Sequence, residues 1–279
     1  MVFLLKLHPT SVIHPAALIS GDVEVGPYCL IGPDVTLKDG VRLLGHVSIN
    51  GNTVLEENVV VHPFAVLGQS PQHWEYKNQP TGLVVGSGTQ IREHVTLHIG
   101  TPQGGGLTKV GKNCMIMVGS HVGHDCRLGD RVMMANNTVL GGHVVLEDDV
   151  FVGGMVAIHQ FTWIGRGAMI TGCSAVADDV IPYGIAMGNR AVLEGINMYR
   201  LKKNNLSREE IKAFYSAYVH LFKNYGKTFS ERVLTLPEKL LQYPTVLELK
   251  NFILSLRKRP LCMTKSAASD TTTDVSRAV

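Results

Sequence analysis

Aliphatic side chains recur at every sixth position along most of the first two thirds of the chain. The series runs through Ile13, Ile19, Val25, Ile31, Leu37, Leu43, Ile49, Leu55, Val61 and Leu67, resumes at Val85, Ile91 and Leu97, and continues after a phase shift from Val110 to Val176. Two residues before most of these positions stands a small or β-branched residue, such as Val23 or Cys126. An α-helix repeats about every 3.6 residues and an alternating strand about every two, so neither fits. A short strand and a turn, repeated three times in a coil of about 18 residues, do fit, and they predict a parallel β-helix with both stripes inside.

Two stretches interrupt the repeat. Residues 68–84 lose the pattern without changing its phase, and we interpret the span from Leu67 to Val85 as one whole coil. Residues 98–109 shift the phase and contain three successive glycines, Gly104 to Gly106, a weak signal for a phosphate cradle. Because loops that leave a rigid scaffold tend to hold binding residues, we expect functional side chains near both.

The repeat ends near Pro182, where the pattern becomes helical. Ser207 opens a capping box, and apolar residues follow at helical spacing as far as Phe222. Further helices are predicted at about 230–242 and 245–257, and the polar composition after them predicts disorder. The expected fold class is mainly β, with a β-helix domain at 1–188, a helical domain at 189–262 and a disordered tail at 263–279.

Composition narrows the class of protein. Hydrophobic residues make up 45% of the chain and charged residues 18%, which favours a folded core. The net charge of +3 and the absence of basic runs interleaved with aromatic residues argue against a nucleic-acid partner. Five cysteines, without a CxxC pair, predict reduced and buried thiols. The apolar opening Met1 to Leu7 is too short for a transmembrane segment, and none is expected.

Residues one coil apart should stack, so the repeat also maps the surface. One expected column contains His124, Gly142 and Gln160, and the adjacent column contains Asp125, His143 and Phe161. His121 and His159 fall on nearby columns of the same surface. Neighbours in a column should lie about 4.8 Å apart, which brings several imidazoles together.

Three kinds of chemistry fit this histidine cluster. In the first, neutral His124 is a general base whose tautomer is fixed by Asp125, while the unshielded N–H of Gly142 stabilises an oxyanion. In the second, the imidazoles bind a metal ion. In the third, the histidines only satisfy hydrogen bonds at a subunit contact, and for His121, His143 and His159 this alternative stays open.

Six strings of residues carry a family resemblance over about residues 8–260. They are VHPFAVLGQ (61–69), GGGLTKVG (104–111), HVGHDC (121–126), MANNTVLGGHV (134–144), AIHQF (157–161) and GCSAVADDVIPY (172–183). In this order they resemble the bacterial UDP-N-acetylglucosamine 3-O-acyltransferases of lipid A biosynthesis. The resemblance implies a left-handed β-helix and a homotrimer. It also implies transfer of a 3-hydroxyacyl group from acyl carrier protein to UDP-N-acetylglucosamine, with no cofactor beyond the phosphopantetheine that arrives on the carrier protein.

The resemblance also assigns roles to single positions. It implies His124 as general base, Asp125 as its partner and Gly142 as oxyanion donor. The positions it implies for substrate binding are Gln72, His73, His121, His143, His159, Gln160 and Asn197. Gly172 and Arg190 match positions that set acyl-chain length, Lys202, Lys203 and Arg208 are expected docking charges for the acidic carrier protein, and no resident metal is implied.

Four positions depart from the family pattern. Glu75 stands where a lysine is usual, with Lys77 two residues later, and Arg190 stands where the family has a histidine. Tyr199 replaces an acidic residue and Asn204 interrupts a basic triplet. With the polar tail, these differences suggest a plant organellar homologue in mitochondria, the alternative being a bacterial-type cytoplasmic enzyme.

Three other functions fit the same repeat. The first is an N-acyltransferase acting on an amino sugar. The second is a trimeric zinc hydratase, and the third is a scaffold that has lost catalysis.

Overall fold

The computed structural model describes residues 6–224, 226–255 and 258–265. Within these ranges most of the chain forms very short strands. In chain order they are β1 (Lys6–Leu7), β2 (Val12–Ile13), β3 (Leu18–Ile19), β4 (Glu24–Val25), β5 (Leu30–Ile31), β6 (Val35–Leu37), β7 (Arg42–Leu43), β8 (Ser48–Ile49), β9 (Asn52–Leu55), β10 (Val60–Val61), β11 (Val66–Gln69), β12 (Gly82–Val85), β13 (Gln90–Ile91), β14 (Thr96–His98), β15 (Leu107–Val110), β16 (Met115–Ile116), β17 (His121–Val122), β18 (Arg127–Leu128), β19 (Met133–Met134), β20 (Val139–Leu140), β21 (Val145–Leu146), β22 (Phe151–Val152), β23 (Ala157–Ile158), β24 (Trp163–Ile164), β25 (Met169–Ile170), β26 (Ala175–Val176), β27 (Gly184–Met187) and β28 (Val192–Ile196). The helices are a 3-10 turn at Pro102–Gly104 and α1 (Met198–Lys203), α2 (Arg208–Phe222), α3 (Phe229–Leu234), α4 (Glu238–Leu241) and α5 (Pro244–Leu254).

The strands form three sheets, and each coil adds one strand to each sheet. Sheet A contains every third strand from β1 to β25, then β27 and β28; sheet B runs from β2 to β26 and sheet C from β3 to β24. Strands one coil apart pair in parallel, as Glu24 with Arg42 and Val122 with Leu140. The predicted parallel β-helix is therefore confirmed.

The interior of the β-helix holds the two aliphatic stripes seen in the sequence. Val122, Cys126 and Leu128 are all buried, whereas the strand residue before each inward position faces outward, as His121 and Arg127 do. Alternation within such short strands is enough to separate core from surface. Four cysteines are buried as predicted, but Cys173 is exposed because it occupies a turn between strands.

The turns between sheets use left-handed backbone. We call the turns from sheet A to sheet B the AB corner and those from sheet B to sheet C the BC corner. Tyr28 and Phe64 have φ of 57° and 65° at the AB corner, and Asp125, His143 and Phe161 have φ of 62–67° at the BC corner. Such values are uncommon outside glycine, so each corner aligns a column of unusually oriented side chains.

The first interruption of the repeat is not a whole coil, contrary to the interpretation from sequence. Leu67 lies in sheet B and pairs with Leu97, while Val85 lies in the next sheet and pairs with Leu55. Residues 68–84 are thus an insertion at one corner, and the phase survives because they lengthen the coil by a multiple of the six-residue repeat. Residues 98–109 lengthen the next coil by a different amount, which is not a multiple of six, as the pairing of Leu97 with Val122 shows. Both loops leave the β-helix at the BC corner.

The C-terminal region closes the end of the β-helix. The strands β27 and β28 form an antiparallel hairpin, and the predicted domain boundary after residue 188 falls in its turn. Ser207 caps α2 by accepting the Glu210 N–H at 3.1 Å. The helical stretch predicted at about 230–242 forms two short helices, α3 and α4, with Pro237, which lacks an N–H, at the N-cap of α4. The third predicted helix corresponds to α5.

The predicted disorder is also wrong at its first residues. Met263 and Thr264 are buried, and Met263 O accepts the Leu193 N–H at 2.9 Å, because the segment packs beside the hairpin. The rest of the predicted tail, residues 266–279, lies outside the described residues. Among the residues described, the helices are all too short or too polar to cross a membrane.

Candidate active site

The BC corner brings the predicted columns together. The His143 N–H donates to His124 O at 2.9 Å, and the Phe161 N–H donates to Gly142 O at 3.0 Å. These bonds join consecutive coils, so residues 124, 142 and 160 form one column and residues 125, 143 and 161 the next. The sequence arithmetic therefore predicted the stacking correctly.

A histidine–aspartate pair lies at the centre of this surface. His124 Nδ1 is 2.7 Å from Asp125 Oδ2, and the His124 side chain is 13% exposed while that of Asp125 is fully buried. The carboxylate also accepts the Thr101 N–H at 2.8 Å and the Thr101 hydroxyl at 2.7 Å. Burial raises the pKa of Asp125, but the hydrogen bonds from His124 and Thr101 outweigh it, and the net direction is downward. Asp125 is thus a carboxylate that orients His124.

Thr101 reaches Asp125 because of the loop after β14. Thr101 caps the 3-10 turn Pro102–Gly104 and is itself 2% exposed. Gly104 lies so close to the acid that a Cβ there would overlap the Asp125 carboxylate. The glycine run therefore lets the loop close over Asp125, which is a different use from the phosphate cradle considered from the sequence.

Gly142 lies against the imidazole of His124. A Cβ at Gly142 would come within 2.6 Å of His124 Cε1 and Nε2, so any side chain would displace the ring. Within the described part of the chain, the Gly142 N–H has no hydrogen-bond acceptor. An unpaired N–H on a residue that packs against the ring of a candidate base is suited to an oxyanion site.

His143 extends the cluster on the next coil. Its ring stacks on Phe161 with centroids 4.4 Å apart, and its Nε2 is 3.7 Å from Asp125 Oδ2. Burial lowers the pKa of His143, and the nearby charge of Asp125 only partly offsets this effect. Lys258 lies over the Phe161 ring, 3.9 Å from its centroid, and no sequence pattern indicated this contact.

The first loop contributes one more imidazole. The His73 ring meets His124 edge to face, with centroids 5.5 Å apart. Gln72, Trp74 and Glu75 next to it are all exposed. The structure therefore brings His73 to the cluster.

His121 and His98 form a pair beside the cluster. His121 Nδ1 is 2.7 Å from the Thr96 hydroxyl, and its ring meets His98 with centroids 4.9 Å apart. Burial lowers the pKa of His121, and burial together with the neighbouring imidazoles lowers that of His98 to about 4. Sequence reasoning missed His98, although His98 stands one residue after an inward aliphatic position, as His159 also does.

His159 and Gln160 are exposed on the last coil of this corner. Gln160 O accepts Arg259 Nε–H at 2.9 Å, and the guanidinium also contacts His159 Nδ1. With Arg190, His159 lines a mainly apolar cleft of about 420 Å³.

Two predicted positions lie away from this corner. Asn197 is buried and caps α1 by accepting the Arg200 N–H at 3.1 Å, while its amide donates to Gly167 O at 3.0 Å. Gly172 follows β25 at the AB corner, next to Gly154 of the preceding coil. In the single chain, Asn197 therefore has a structural role, and neither residue joins the histidine cluster.

Metal binding has one candidate group in the described residues. His124, Asp125 and His143 offer ligand atoms that lie within 4.8 Å of one another. Both oxygens of Asp125 already accept hydrogen bonds from Thr101, and His124 Nδ1 faces the same carboxylate. A cation here would have to replace these hydrogen bonds.

Two family models match this chain. Residues 107–142 match the bacterial transferase hexapeptide (six repeats), and residues 179–262 match domain 2 of UDP N-acetylglucosamine O-acyltransferase. The first match covers the coils that hold His124 and Gly142. The second covers the hairpin and all five α-helices.

Curated proteins and solved structures give similar results. The chain is 48% identical to the acyl-[acyl-carrier-protein]–UDP-N-acetylglucosamine O-acyltransferase of Azorhizobium caulinodans over 92% of this chain and 94% of that protein. It is also 48% identical to the Caulobacter vibrioides protein of the same name, over 93% and 98% of the two chains. The structure of UDP-N-acetylglucosamine acyltransferase from Campylobacter jejuni superimposes with a TM-score of 0.87 at 33% identity, covering 93% of this chain and 100% of that one. These matches confirm the predicted fold class, a left-handed parallel β-helix followed by α-helices.

Proposed function

The chain belongs to the acyl-[acyl-carrier-protein]–UDP-N-acetylglucosamine O-acyltransferase family, and from this membership we propose how its residues perform the transfer. It is an acyltransferase whose donor is an acyl thioester on acyl carrier protein and whose acceptor is a hydroxyl of UDP-N-acetylglucosamine. The acceptor atom is the sugar 3-hydroxyl and the donor chain is a 3-hydroxyacyl group. The reaction is the first step of lipid A biosynthesis.

His124 is the general base. Its Nε2 accepts the proton of the sugar hydroxyl as the oxygen attacks the thioester carbon, which forms a C–O bond and a tetrahedral oxyanion. When the C–S bond breaks, the proton passes from His124 to the phosphopantetheine sulfur, so the products are an ester and a free thiol. The observation that carries this proposal is the 2.7 Å contact of His124 Nδ1 with buried Asp125, which leaves Nε2 as the base.

Asp125 and Gly142 act on His124 and on the oxyanion. The carboxylate accepts the Nδ1–H and stabilises the imidazolium that forms during attack. The Gly142 N–H donates to the oxyanion, and this role is supported by the packing of Gly142 against the His124 ring, where no side chain separates the two residues. Removal of such a donor typically costs about a hundredfold or more in rate.

The surrounding polar residues bind the two substrates. We assign substrate binding around the base to Gln72, His73, His121, His143, His159 and Gln160, and binding on the nucleotide side to Asn197. The lowered pKa values of His121 and His143 favour neutral rings that both donate and accept hydrogen bonds to sugar and thioester oxygens. The apolar cleft beside Arg190, together with Gly172, sets the length of the acyl chain.

The active form is a homotrimer. In a single chain, Gly172 and Asn197 stay away from His124, so a neighbouring subunit has to complete the substrate site. Acyl carrier protein is acidic, and the exposed side chains of Lys202, Lys203 and Arg208 provide a complementary docking surface. Both curated relatives come from bacteria, so they give no support to a mitochondrial location.

The first experiment incubates the purified protein with UDP-N-acetylglucosamine and 3-hydroxyacyl carrier proteins of several chain lengths. Mass spectrometry should detect an acylated nucleotide sugar with one preferred chain length, and His124→Ala should form almost none. Sedimentation should give three chains per particle. Failure to acylate the nucleotide sugar with any donor would contradict the proposed function and favour a non-catalytic scaffold.

A further inference from the structure

A segment beyond the last helix reaches the candidate site. Pro260 O accepts the Asp179 N–H at 2.8 Å, and the Cys262 N–H donates to Asp179 O at 2.8 Å, so residues 260–262 form a parallel bridge with the last coil. Cys262 is almost fully buried, which holds this bridge in place. The preceding residue, Arg259, is thereby directed toward the BC corner.

The Arg259 guanidinium spans two acceptors on that corner. Its Nε–H donates to Gln160 O at 2.9 Å, and its Nη2 contacts His159 Nδ1. A guanidinium has five N–H donors and no acceptor, and it keeps its proton at all relevant pH values. His159 Nδ1 must therefore be the acceptor, which puts the ring proton on Nε2.

Without Arg259 the ring would have another hydrogen bond available. His159 Nδ1 lies 3.2 Å from Gln160 O, a geometry that suits an Nδ1–H donating to this carbonyl. Arg259 donates to Gln160 O and to His159 Nδ1 at once. Because Nδ1 then has no proton, the Nδ1–H tautomer is excluded. Burial raises the pKa of the nearby Asp178 carboxyl, and the charge of Arg259 partly offsets this effect.

We propose that Arg259 is a positioning residue that fixes His159 as the neutral Nε2–H tautomer, ready to donate to an acceptor oxygen of the substrate. The inference rests on the proposed function, because His159 is taken there as a substrate-binding residue. The contact connects Arg259, at the end of the helical region, to His159 on the transferase surface, 100 residues earlier in the chain. Arg259 is not itself a catalytic residue, since its contacts are to His159 and Gln160.

The test uses protein labelled with ¹⁵N at histidine, with the His159 signals assigned by their loss in His159→Gln. Two-bond ¹⁵N–¹H spectra distinguish the two neutral tautomers. The unsubstituted protein should show the Nε2–H pattern, and Arg259→Gln should shift His159 to the Nδ1–H pattern. Arg42→Gln, which removes an exposed arginine paired with Glu24 on sheet A, is the matched control and should leave the pattern unchanged.

Kinetics give the second readout. Arg259→Gln should raise KM for UDP-N-acetylglucosamine about three- to tenfold, the loss of one oriented hydrogen bond, with kcat changed less than KM. Arg259→Lys should rescue little, because an ammonium cannot span two acceptors as a planar fork does. An Nδ1–H pattern in the unsubstituted protein, or an unchanged tautomer in Arg259→Gln, would overturn the proposal. The spectra need no turnover, so a protein that shows the tautomer but no activity would refute the proposed function alone.

Discussion

The AB and BC corners are built from the same repeat, yet only the BC corner holds a candidate active site. At the AB corner, Tyr28, His46, Phe64 and His94 form a ladder of exposed rings with centroids 5.0–5.1 Å apart. At the BC corner, the rings of His143 and Phe161 stack in a similar way, but Asp125, which precedes them in the same column, is buried. The coil alone therefore produces stacked side chains. Asp125 belongs to the coil, and what differs at the BC corner is the inserted loop after β14, whose Thr101 donates two hydrogen bonds to the buried carboxylate.

The largest expected difference between the corners is in turnover. His124→Ala should lower kcat by about a hundredfold to ten-thousandfold, because it removes the general base. His94→Ala removes an exposed ring of the AB ladder and should leave kcat near that of the unsubstituted protein. Steady-state assays of both variants, with circular dichroism to check folding, make the comparison. Equal losses in the two variants would place the catalytic base elsewhere.

Displacing the loop 98–109 from Asp125 should reduce both the turnover rate and the free energy of unfolding. In Gly104→Ala the new methyl group overlaps the Asp125 carboxylate, so the loop must move, at a cost of about 1–3 kcal/mol in the free energy of unfolding. We expect kcat to fall about tenfold or more, because His124 loses its oriented partner. Gly195→Ala is the matched control, since a Cβ at Gly195 meets nothing within 4 Å. Normal kcat in Gly104→Ala would show that the loop does not orient the pair.

Acid should destabilise the protein through the buried imidazole of His98, at the end of β14. The pKa of His98 is about 4 in the folded protein, below its ordinary value near 6.5, so the unfolded chain binds this proton more tightly. The contribution of neutral His98 to the free energy of unfolding is fully present above pH 6.5. It is lost as the pH falls through 4, by up to about 3 kcal/mol. The free energies of unfolding of the unsubstituted protein and of His98→Gln, measured with denaturant, should therefore converge as the pH is lowered. A constant difference between them from pH 7 to pH 4 would contradict this assignment.

Chelation should have the smallest effect. The hydrogen bonds among His124, Asp125 and Thr101 already use the atoms that would bind a cation, so treatment with a chelator should leave kcat unchanged. Metal analysis of the protein before and after treatment is the control. Loss of turnover together with loss of stoichiometric zinc would instead show that the acyl transfer depends on a bound metal ion.

Much of the site could be predicted because the repeat is so regular. A fixed spacing of three hexapeptides places His124 below Gly142 and Asp125 below His143 without any knowledge of side-chain packing. Thr101 was beyond reach, since the loop that positions it has no period to extrapolate. His98 was missed although it follows the inward Leu97 at the end of β14, a position that the repeat does define. The interpretation of residues 68–84 as a whole coil was wrong for a related reason, because an insertion whose length is a multiple of the repeat leaves the phase unchanged.

Arg259 shows the other limit of sequence reasoning. It reaches His159 through a backbone bridge to Asp179 and a buried Cys262, contacts that depend on how the helices fold back over the last coil. No local pattern near residue 259 indicates this destination. The helical region therefore contributes to the candidate site only through long-range packing.

By itself the sequence determined the β-helix, its inward stripes and the columns of the BC corner, because a six-residue period allows one way of burying its aliphatic side chains. Only the tertiary structure decided that both inserted loops leave from that same corner, that one of them buries Asp125, and that Arg259 returns to His159. The physical reason is that these contacts join residues from irregular segments, where steric fit and hydrogen-bond satisfaction, not periodicity, select the conformation.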